Sequence, residues 1–467
     1  MLKQLKIKTL ILLISTIIIS GYLFISSMMG TDGFNNLKSL LSNSNKQLIK
    51  KYIFPHKFMS QQQQQISQQK QRLKLVEKLI DWSKYELLKK QEGSEIILKE
   101  SIVKLSNNKT LKKYNLTSGF YAGINNTWPG SGYIDFYEDN IIVLSARGLL
   151  AFNKNVEDAE ENFQQIRNNI NEFISIKQFK KNQFFFSLKD IFIFNNKIFI
   201  SYTEEIKEDC WNTSIIYRDI NYENINFEKL FSPKECNHLT KNIDNEFNGH
   251  QSGGKIISFD NNHILLSLGE YRSRYLAQDI KSVNGKIIKI NIDNGNYEII
   301  SMGHRNPQGL YFDKENNFIL ETEHGPFGGD EINLIEIDKI NKDKIQNYGW
   351  AISSAGEHYK GKIEKNKNKY EKYPLYKSHS EHRFIEPLKS FVPSIGISEI
   401  VKVGQNRYVV SSMNDRSIYF FELNEQKKII NLNRVKVFER VRDLRFNDNR
   451  LYLFMEDTAS IGVINLN

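Results

Sequence analysis

The chain has 467 residues, 40% of them hydrophobic and 12% aromatic, which is enough for a large core and excludes global disorder. Its formal charge of +10 comes from 64 basic and 54 acidic residues spread along the whole sequence. Because no basic stripe with interleaved aromatic residues occurs, the composition argues against nucleic-acid binding.

The N-terminal segment has the pattern of a membrane-spanning helix. Lys3, Lys6 and Lys8 precede an uncharged run over residues 9–28, and this run meets the length of about 20 residues that a bilayer requires. The lysines are expected to stay in the cytoplasm, which places the rest of the chain on the extracytoplasmic (periplasmic) side of the membrane. We predict an anchor over residues 1–30. If the segment is instead a cleaved signal peptide, the protein is secreted.

A polar segment, residues 31–114, separates this anchor from the main body. It holds a glutamine run at residues 61–65, followed by QRLKLVEKLIDWSKYELLKK at residues 71–90. The second stretch places apolar side chains at near-helical spacing, namely Leu73, Val76, Leu79, Ile80, Trp82 and Leu87. We interpret it as a short helical stalk that holds the exported domain off the membrane or packs on its side. A partner-binding coiled coil would need a longer repeat.

From about residue 115 the sequence becomes rich in β-branched and aromatic runs, each following a turn of Asn, Asp or Gly. The runs share one pattern, an Asn-containing turn followed by four or five apolar residues: EDNIIVLSARGLLAFN, FNNKIFISYTE, DNNHILLSLGE, KENNFILETEHG, GQNRYVVSSMNDRSIYFFEL and FNDNRLYLFMED. Their spacing fits four-stranded propeller blades of about 40 to 50 residues or more. Periodicity alone leaves a large sandwich open, but the repeated unit favours an all-β fold, a six-bladed β-propeller over residues 115–467.

The chain contains two cysteines, Cys210 and Cys236. In an oxidising compartment they could form a disulfide. Two unpaired, partly buried thiols are an equal alternative, because sequence spacing does not show whether the Cα atoms come within bonding range.

Two polar loops carry candidate catalytic groups. In GHQSGG, His250 stands among glycines that allow close approach, and its neutral imidazole can accept a proton. In MGHRNPQGLYF, Arg305 offers a planar fork of donors, and Asn306 and Gln308 offer donors and acceptors. The structural alternative for His250 is a histidine hydrogen-bonded in a turn, and that for the second loop is a polar clamp between blades.

Two further stretches suggest ion binding. In EHGPFGGDE, the Gly-Pro pair at residues 325–326 exposes backbone carbonyls that suit a hard cation such as Ca²⁺. In ERVRD, Arg440 and Arg442 project to the same side of an extended chain. Their mutual repulsion requires a balancing group, either a bound anion or Asp443. A solvated strand edge is the alternative.

Taken in order, HQSGGK, GHRNPQGLYF, EHGPFGGDEINLI with NYGW after it, and RVRDL resemble the glucose/sorbosone dehydrogenase family. Its members are soluble six-bladed propellers that use pyrroloquinoline quinone (PQQ). The resemblance covers roughly residues 180–467, is weaker over residues 115–180, and leaves the anchor and stalk outside.

The resemblance implies a catalytic arrangement. His250 matches the base that takes the proton from the C1 hydroxyl of an aldose while hydride passes to PQQ, and Arg305 matches the residue that polarises the quinone oxygen. Asn306 and Gln308 match residues that line the cofactor site. A cofactor-binding pair, Arg440 and Arg442, matches the arginines that hold the PQQ carboxylates.

The resemblance also implies two calcium sites. The backbone carbonyls of Gly325 and Pro326 match ligands of the Ca²⁺ that orients PQQ. Glu331 and the carbonyl of Tyr348 resemble ligands of a second, structural calcium. These calcium assignments rest on the family pattern.

Three departures from the family pattern stand out. Gly249 replaces the Asp or Asn that usually precedes the histidine, and Asn414 replaces a lysine that contacts PQQ in the sugar-oxidising members. The stretch FFFSLKDIFIF offers only Lys189 near the position of the family's first-loop glutamine.

The function predicted is an exported, membrane-anchored, PQQ- and Ca²⁺-dependent sugar dehydrogenase that oxidises an aldose or a related sugar alcohol. Its partners would be a small-molecule sugar substrate and an electron acceptor that the sequence does not identify. The alternative is a non-catalytic propeller that serves as an extracytoplasmic binding or scaffold module.

Overall fold

The structure is a computed structural model that describes residues 95–96, 99–106, 109–116, 131–146, 148–154, 163–174, 188–341, 344–359 and 370–466, with residues 62–73 and scattered positions before them. The chain divides into two units, residues 1–81 and 82–467. In the first, residues 62–73 are helical, and the rest of the predicted stalk helix lies outside the described residues. Most of the predicted anchor also lies outside them. Among the described residues, no helix is long and apolar enough to cross a membrane.

In the described part of the second unit, strands follow one another almost without helices. The first three strands are β1 (Glu95–Ile96), β2 (Lys99–Lys104) and β3 (Thr110–Asn115). Blade 1 holds β4 (Gly132–Tyr137), β5 (Asn140–Ser145), β6 (Leu150–Asn153) and β7 (Phe163–Asn168), and helix α1 (Ile170–Phe173) follows it. Blade 2 holds β8 (Leu188–Phe194), β9 (Lys197–Lys207), β10 (Cys210–Asp219), β12 (Glu228–Phe231) and β13 (Asn237–His238), whereas β11 (Asn224–Ile225) pairs with β7.

Blade 3 holds β14 (Gly253–Asp260), β15 (His263–Leu268), β16 (Lys286–Asn291) and β17 (Tyr297–Met302). Blade 4 holds β18 (Pro307–Asp313), β19 (Phe318–Glu323), β20 (Asp330–Glu336) and β22 (Lys389–Phe391), whereas β21 (Gln346–Asn347) joins blade 3. Blade 5 holds β23 (Ile397–Gly404), β24 (Arg407–Ser412), β25 (Ser417–Leu423) and β26 (Ile429–Lys436). Blade 6 holds β27 (Val441–Asn447), β28 (Arg450–Met455) and β29 (Ser460–Asn465). Short 3-10 helices span Arg274–Gln278, Ile337–Lys339 and Ser380–His382.

The six sheets form a ring, which confirms the predicted all-β six-bladed propeller. The first strand of each blade contacts the first strand of the next, and β27 contacts β4 to close the circle. These six inner strands, β4, β8, β14, β18, β23 and β27, surround a central channel. The apolar core lies between neighbouring blades, as where Leu320 of β19 and Val410 of β24, both fully buried, belong to one cluster.

The repeated Asn-containing turn marks the hairpin between the first and second strand of each blade. Asn195 and Asn196 both have positive φ, 50° and 57°, and Asn317, Asn406 and Asn449 have φ between 54° and 57°. A tight hairpin requires this left-handed backbone, which Asn tolerates better than most residues do. Four of the six blades thus have a left-handed Asn in this hairpin, and in blade 1 the left-handed residue is Glu138 instead.

The propeller starts earlier than the predicted residue 115, which corrects the boundary of the stalk. Strand β3 pairs antiparallel with the C-terminal strand β29, with Leu111 opposite Ile464, and β2 completes the edge of the same sheet. Leu111 and Tyr114 are buried there. Leu111 and Tyr114 lie three residues apart, so they face opposite sides of β3, and each packs into a different apolar core.

The two cysteines form a disulfide that joins the start of β10 to residue 236, with 5.3 Å between the Cα atoms. The structure therefore decides between the two alternatives that the sequence left open. This bond ties the loop before β13 to blade 2.

Aspartates join successive blades near the channel. Each accepts a hydrogen bond from a backbone N–H of the next inner strand: Asp443 from Ile134 at 2.8 Å, Asp135 from Ile193 at 2.7 Å, and Asp190 from Ile256 at 2.8 Å. Because an unpaired buried N–H is costly, these bonds fix the spacing and height of neighbouring blades.

The same aspartates belong to a buried charged group, here called the channel cluster. Its members are Asp135, Asp190, Lys255, Glu399, Asp443 and Arg445, which come from five of the six inner strands. Four carboxylates thus face two cations. Burial raises the pKa of Glu399 to about 8 and that of Asp190 to about 6, with Lys255 acting in the opposite direction in both cases. We infer that protons supply the missing positive charge.

We expect a chain of residues 116–467 to be much less stable than one of residues 82–467. Removing β2 and β3 exposes β29, whose Ile461, Val463 and Ile464 are buried, and leaves its backbone edge unpaired. Thermal unfolding followed by circular dichroism should show a midpoint lower by 10 °C or more, on the order expected for losing several buried side chains. Equal midpoints would contradict the role of β2 and β3 in closing the ring.

We expect Glu399→Gln to flatten the pH dependence of stability. A carboxyl whose pKa is raised on folding favours the folded state below its ordinary pKa near 4.5, and this advantage is lost as pH rises toward about 8. The fall in the free energy of unfolding from pH 5 to pH 8 should be smaller in the variant by about 1 to 3 kcal/mol. Urea unfolding at both pH values measures it, with exposed Glu425→Gln as the control. An unchanged slope would show that Glu399 is ionised.

Candidate active site

One cavity of about 350 Å³ lies at the end of the channel where the inner strands begin. Seven of the ten residues that the sequence singled out line it: His250, Arg305, Asn306, Gln308, Gly325, Arg440 and Arg442. They come from loops and strands nearly 200 residues apart in sequence. The other three predicted residues, Pro326, Glu331 and Tyr348, are not among the residues that line it.

His250 lies in the loop before β14, with its side chain open to the cavity. Its backbone N–H donates to Oδ1 of Asn248 at 3.0 Å, so the polar neighbour missing at Gly249 is present one residue earlier but bonds to the main chain. Burial within the cavity and the nearby Lys189 and Arg442 lower the pKa of His250 to about 4. The imidazole is therefore neutral near pH 7 and able to accept a proton.

Arg305 is held from three sides. Its Nη1 donates to the carbonyl of His324 at 2.8 Å, its backbone N–H donates to Oε2 of Glu323 at 2.5 Å, and its guanidinium lies 5.3 Å from the ring centre of Trp350. The stacking and the buried hydrogen bonds fix the plane of the guanidinium.

A relay connects Arg305 to a buried acid. With the amide of Gln251 oriented to satisfy both neighbours, its oxygen accepts from Nη2 of Arg305 at 2.7 Å and its nitrogen donates to Oε1 of Glu270 at 2.6 Å. Burial raises the pKa of Glu270 to about 7, with Arg274 and Arg305 acting in the opposite direction. Among the described residues, no carboxylate forms an ion pair with the guanidinium of Arg305, which leaves its charge available to a ligand.

Asn306 and Gln308 line the cavity and also connect blades through hydrogen bonds. Oδ1 of Asn306 accepts from the N–H of Gly253 at 3.1 Å and from Nε2 of Gln308 at 3.0 Å. Oε1 of Gln308 lies 3.4 Å from Nη1 of Arg442. This chain of hydrogen bonds runs from blade 3 through blade 4 to blade 6.

Glu456, not Asp443, balances the arginine pair. Its Oε2 accepts from Nε of Arg440 at 2.7 Å and its Oε1 accepts from Nη2 of Arg442 at 2.7 Å. Although burial raises it, the two arginines lower the pKa of Glu456 to about 2. Asp443 points into the channel cluster instead, because residues 442 and 443 face opposite sides of β27.

The loop that carries Gly325 and Pro326 is tightly folded at the cavity edge. The N–H of Gly325 donates to Oδ1 of Asp330 at 3.0 Å, and a Cβ at Gly325 would lie only 2.0 Å from the carbonyl oxygen of Gly329, so only glycine fits. Among the described residues, no side chain or loop N–H donates to the carbonyl oxygens of residues 325 and 326. These oxygens can therefore serve a cation.

Glu331 and Tyr348 line a separate, small cavity of about 10 Å³ together with Glu323. The amide of Asn333 donates to Glu321 at 3.0 Å and to Glu323 at 3.1 Å, and lies 3.5 Å from an oxygen of Glu331. Burial and the neighbouring Glu323 raise the pKa of both Glu321 and Glu331 well above its ordinary value. Three carboxyl groups thus meet at the amide of Asn333, and Glu321 and Glu323 each bring an oxygen within 4.8 Å of a ring nitrogen of His304. Of these three acids, the sequence pattern singles out Glu331.

Sequence reasoning missed four contributors to the site. Glu456 carries no motif of its own, Gln251 lies in the GHQSGG loop but was given no role there, and Glu270 has the sequence context of an ordinary residue after a strand. Lys189, noted only as a poor substitute for a glutamine, lines the cavity, and Asn414 is not among the lining residues. For Lys189 the sequence did offer one signal: side chains alternate along a strand, so Lys189 and Asp190 of β8 face opposite sides.

Comparison with known proteins gives the same family. Residues 186–463 match the family model described as Glucose / Sorbosone dehydrogenase. Aldose sugar dehydrogenase YliI of Escherichia coli is 33% identical over 127 residues, 24% of this chain and 32% of that protein. An uncharacterised protein of Synechocystis is 28% identical over 240 residues, 44% of this chain and 54% of that protein. The chain thus spans about half or less of the curated relatives it matches.

Solved structures share the fold. The soluble aldose sugar dehydrogenase of Escherichia coli in its apo form superposes with a TM-score of 0.55 at 20% identity, covering 71% of this chain and 95% of that one. The PQQ-bound aldose sugar dehydrogenase of Streptomyces coelicolor superposes with a TM-score of 0.50 at 14% identity, covering 72% and 99%. At these identities the likeness supports the propeller fold.

Proposed function

This chain belongs to the glucose/sorbosone dehydrogenase family, and from that premise we propose that it is a PQQ-dependent dehydrogenase that oxidises an aldose or a related sugar alcohol. The observation that carries the proposal is the cavity itself. It combines a neutral histidine with several cations that lack a full complement of carboxylates.

The lining of the cavity fits a polyanionic cofactor. Four cationic side chains, Lys189, Arg305, Arg440 and Arg442, face one carboxylate, Glu456. The volume of about 350 Å³ lies within the usual range of about 300 to 1,000 Å³ for small-molecule sites. Arginine pairs bind carboxylates through parallel hydrogen bonds, so Arg440 and Arg442 are suited to the carboxylates of PQQ.

The chemistry divides between the cofactor and the chain. When bound, PQQ supplies the electrophilic quinone that receives hydride from the substrate carbon. His250 accepts the hydroxyl proton of the same substrate carbon, so that the alcohol becomes a carbonyl or lactone. Arg305, fixed by Trp350 and Gln251, places positive charge where negative charge develops. The carbonyls of Gly325 and Pro326 would hold the Ca²⁺, and Glu331 with Tyr348 a second one.

We also propose that the propeller functions in an extracytoplasmic compartment and that residues 1–30 anchor it to the membrane. The Cys210–Cys236 disulfide supports this, since such bonds persist mainly in oxidising compartments. The lysines ahead of the uncharged run give the orientation.

We expect the purified chain to bind PQQ in the presence of Ca²⁺ with micromolar or tighter affinity and then to reduce an artificial electron acceptor when an aldose is added. Equilibrium dialysis and dye reduction across a panel of sugars measure the two steps.

Arg442→Gln should weaken PQQ binding about 10- to 100-fold, because a charge-assisted contact is lost. Arg434→Gln, at an exposed arginine paired with Asp415, is the matched control. Absence of PQQ binding at micromolar concentration would favour the non-catalytic binding module.

We expect His250→Ala to lower kcat at least 100-fold while the dissociation constant of PQQ changes less than about threefold, because a general base contributes about 10²- to 10⁴-fold. His263→Ala, at the far end of blade 3, serves as the control and should leave both values unchanged. If His250→Ala loses PQQ instead of turnover, the residue belongs to the cofactor site and not to proton transfer.

A further inference from the structure

Lys189 is a cation without a carboxylate partner on the wall of the cavity. It lies on β8, the inner strand of blade 2, where its side chain is partly buried. Its Nζ lies 3.4 Å from the carbonyl oxygen of Gly249, and among the described residues no carboxylate oxygen lies within ion-pair distance of it. An ammonium has three donors, so this one long contact leaves donors facing the cavity.

The charges around Lys189 do not satisfy it. Glu456, the carboxylate of the cavity wall, is already bound to Arg440 and Arg442. Burial and Arg442 lower the pKa of Lys189 to about 7, with Glu456 acting in the opposite direction. The cavity is also lined by Arg305, His250, His324, Tyr133 and Tyr359. Burial lowers the pKa of His250 and of His324 to about 4 and raises that of Tyr133, so these three groups are uncharged near neutral pH.

The position of Lys189 is fixed by close packing. A Cβ at Gly254 would lie 2.3 Å from Cβ of Lys189, and Gly254 has a φ of +117°. Gly254, the second residue of β14, thus leaves room for the stem of Lys189. Its amine is brought to the same side as His250 and is oriented toward the cavity, so it is placed to contact a ligand there.

We propose that Lys189 binds a carboxylate of the anionic ligand of this cavity and gains a proton when that ligand enters. The proposal rests on the function proposed above, which makes PQQ the ligand. It adds to the arginine pair of blade 6 a contact contributed by blade 2. It also makes cofactor loading dependent on pH near neutrality.

The sign of the pH dependence follows from linkage. An amine that is half protonated near pH 7 when the cavity is free, and more fully protonated when an anion lies against it, binds that anion best below pH 7. Affinity then falls as pH rises above 7, by up to tenfold per pH unit, until the pKa of the complex is reached. The carboxylates of the ligand stay ionised throughout this range and add no slope of their own.

The test measures PQQ binding to the full chain with Ca²⁺ at pH 6, 7, 8 and 9 by equilibrium dialysis. For the wild-type protein we expect the dissociation constant to rise about 10- to 100-fold from pH 6 to pH 9. Lys189→Met should bind about 10- to 100-fold more weakly at pH 6 and show little of this rise. Lys189→Arg, which stays protonated, should bind tightly at all four values. Tight binding by Lys189→Arg would also show that a substitution at this position leaves the protein folded.

Glu270 provides a second control, because its pKa of about 7 falls in the same range and Gln251 connects it to Arg305. Glu270→Gln should keep the Lys189-dependent rise. Calorimetry at pH 8 in two buffers of different ionisation enthalpy should show uptake of close to one proton per PQQ in Glu270→Gln, and markedly less when Lys189→Arg is added.

The possible outcomes distinguish failure of the proposed function from failure of the role proposed for Lys189. If the wild-type protein binds no PQQ, the proposed function itself is wrong, and this inference falls with it. If the wild-type protein binds PQQ but Lys189→Met has the same affinity and pH dependence, the function stands and Lys189 does not contact the ligand. A rise that disappears in Glu270→Gln and persists in Lys189→Met would assign the titration to Glu270.

Discussion

The channel cluster is the constraint on which the rest of the propeller depends. Six inner strands can surround a channel only if the groups that face it are satisfied, and here five strands contribute charged side chains that bind one another. Asp443, Asp135 and Asp190 also accept hydrogen bonds from the adjacent blade. Breaking one contact would leave buried charge unpaired, which is far more costly than losing an exposed ion pair. The cluster therefore fixes blade positions relative to one another.

The position of the active cavity follows from this arrangement. Residues next to the channel cluster in sequence, such as Lys189 beside Asp190 and Arg442 beside Asp443, face the cavity. Strand alternation separates the two sets, so that one side chain stabilises the channel and its neighbour lines the site. Lys189 and Arg442 are thus positioned by strands, whereas Arg305 and Arg440 lie in the loops directly before β18 and β27. Groups held by strands favour precise binding of a rigid planar ligand.

The sequence predicted the repeated blades of the fold better than the side-chain contacts that occur only once. The Asn-containing turn marked the blades because it recurs at the hairpin that opens each one, and the usual length of a blade gave their number. His250, Arg305, Gln308 and the arginine pair were found because a family motif surrounds each of them, and the structure brings them to one cavity. Glu456 has no such motif, and the role of Gln251 arises from its contacts with Arg305 and Glu270. Strand β3 was misassigned because its lysines gave it the composition of a polar linker.

The pairing of β3 with β29 has a consequence for how the protein forms. Leu111 lies opposite Ile464, so blade 6 cannot be completed until β29 has been synthesised. The other blades are built mainly from segments that are continuous in sequence and can pair as they emerge, whereas β2 and β3 must wait for β29. Such long-range pairing is intrinsically slow. Assembly of this propeller is therefore a process with an obligatory final step, and the first strands made are among the last to be used.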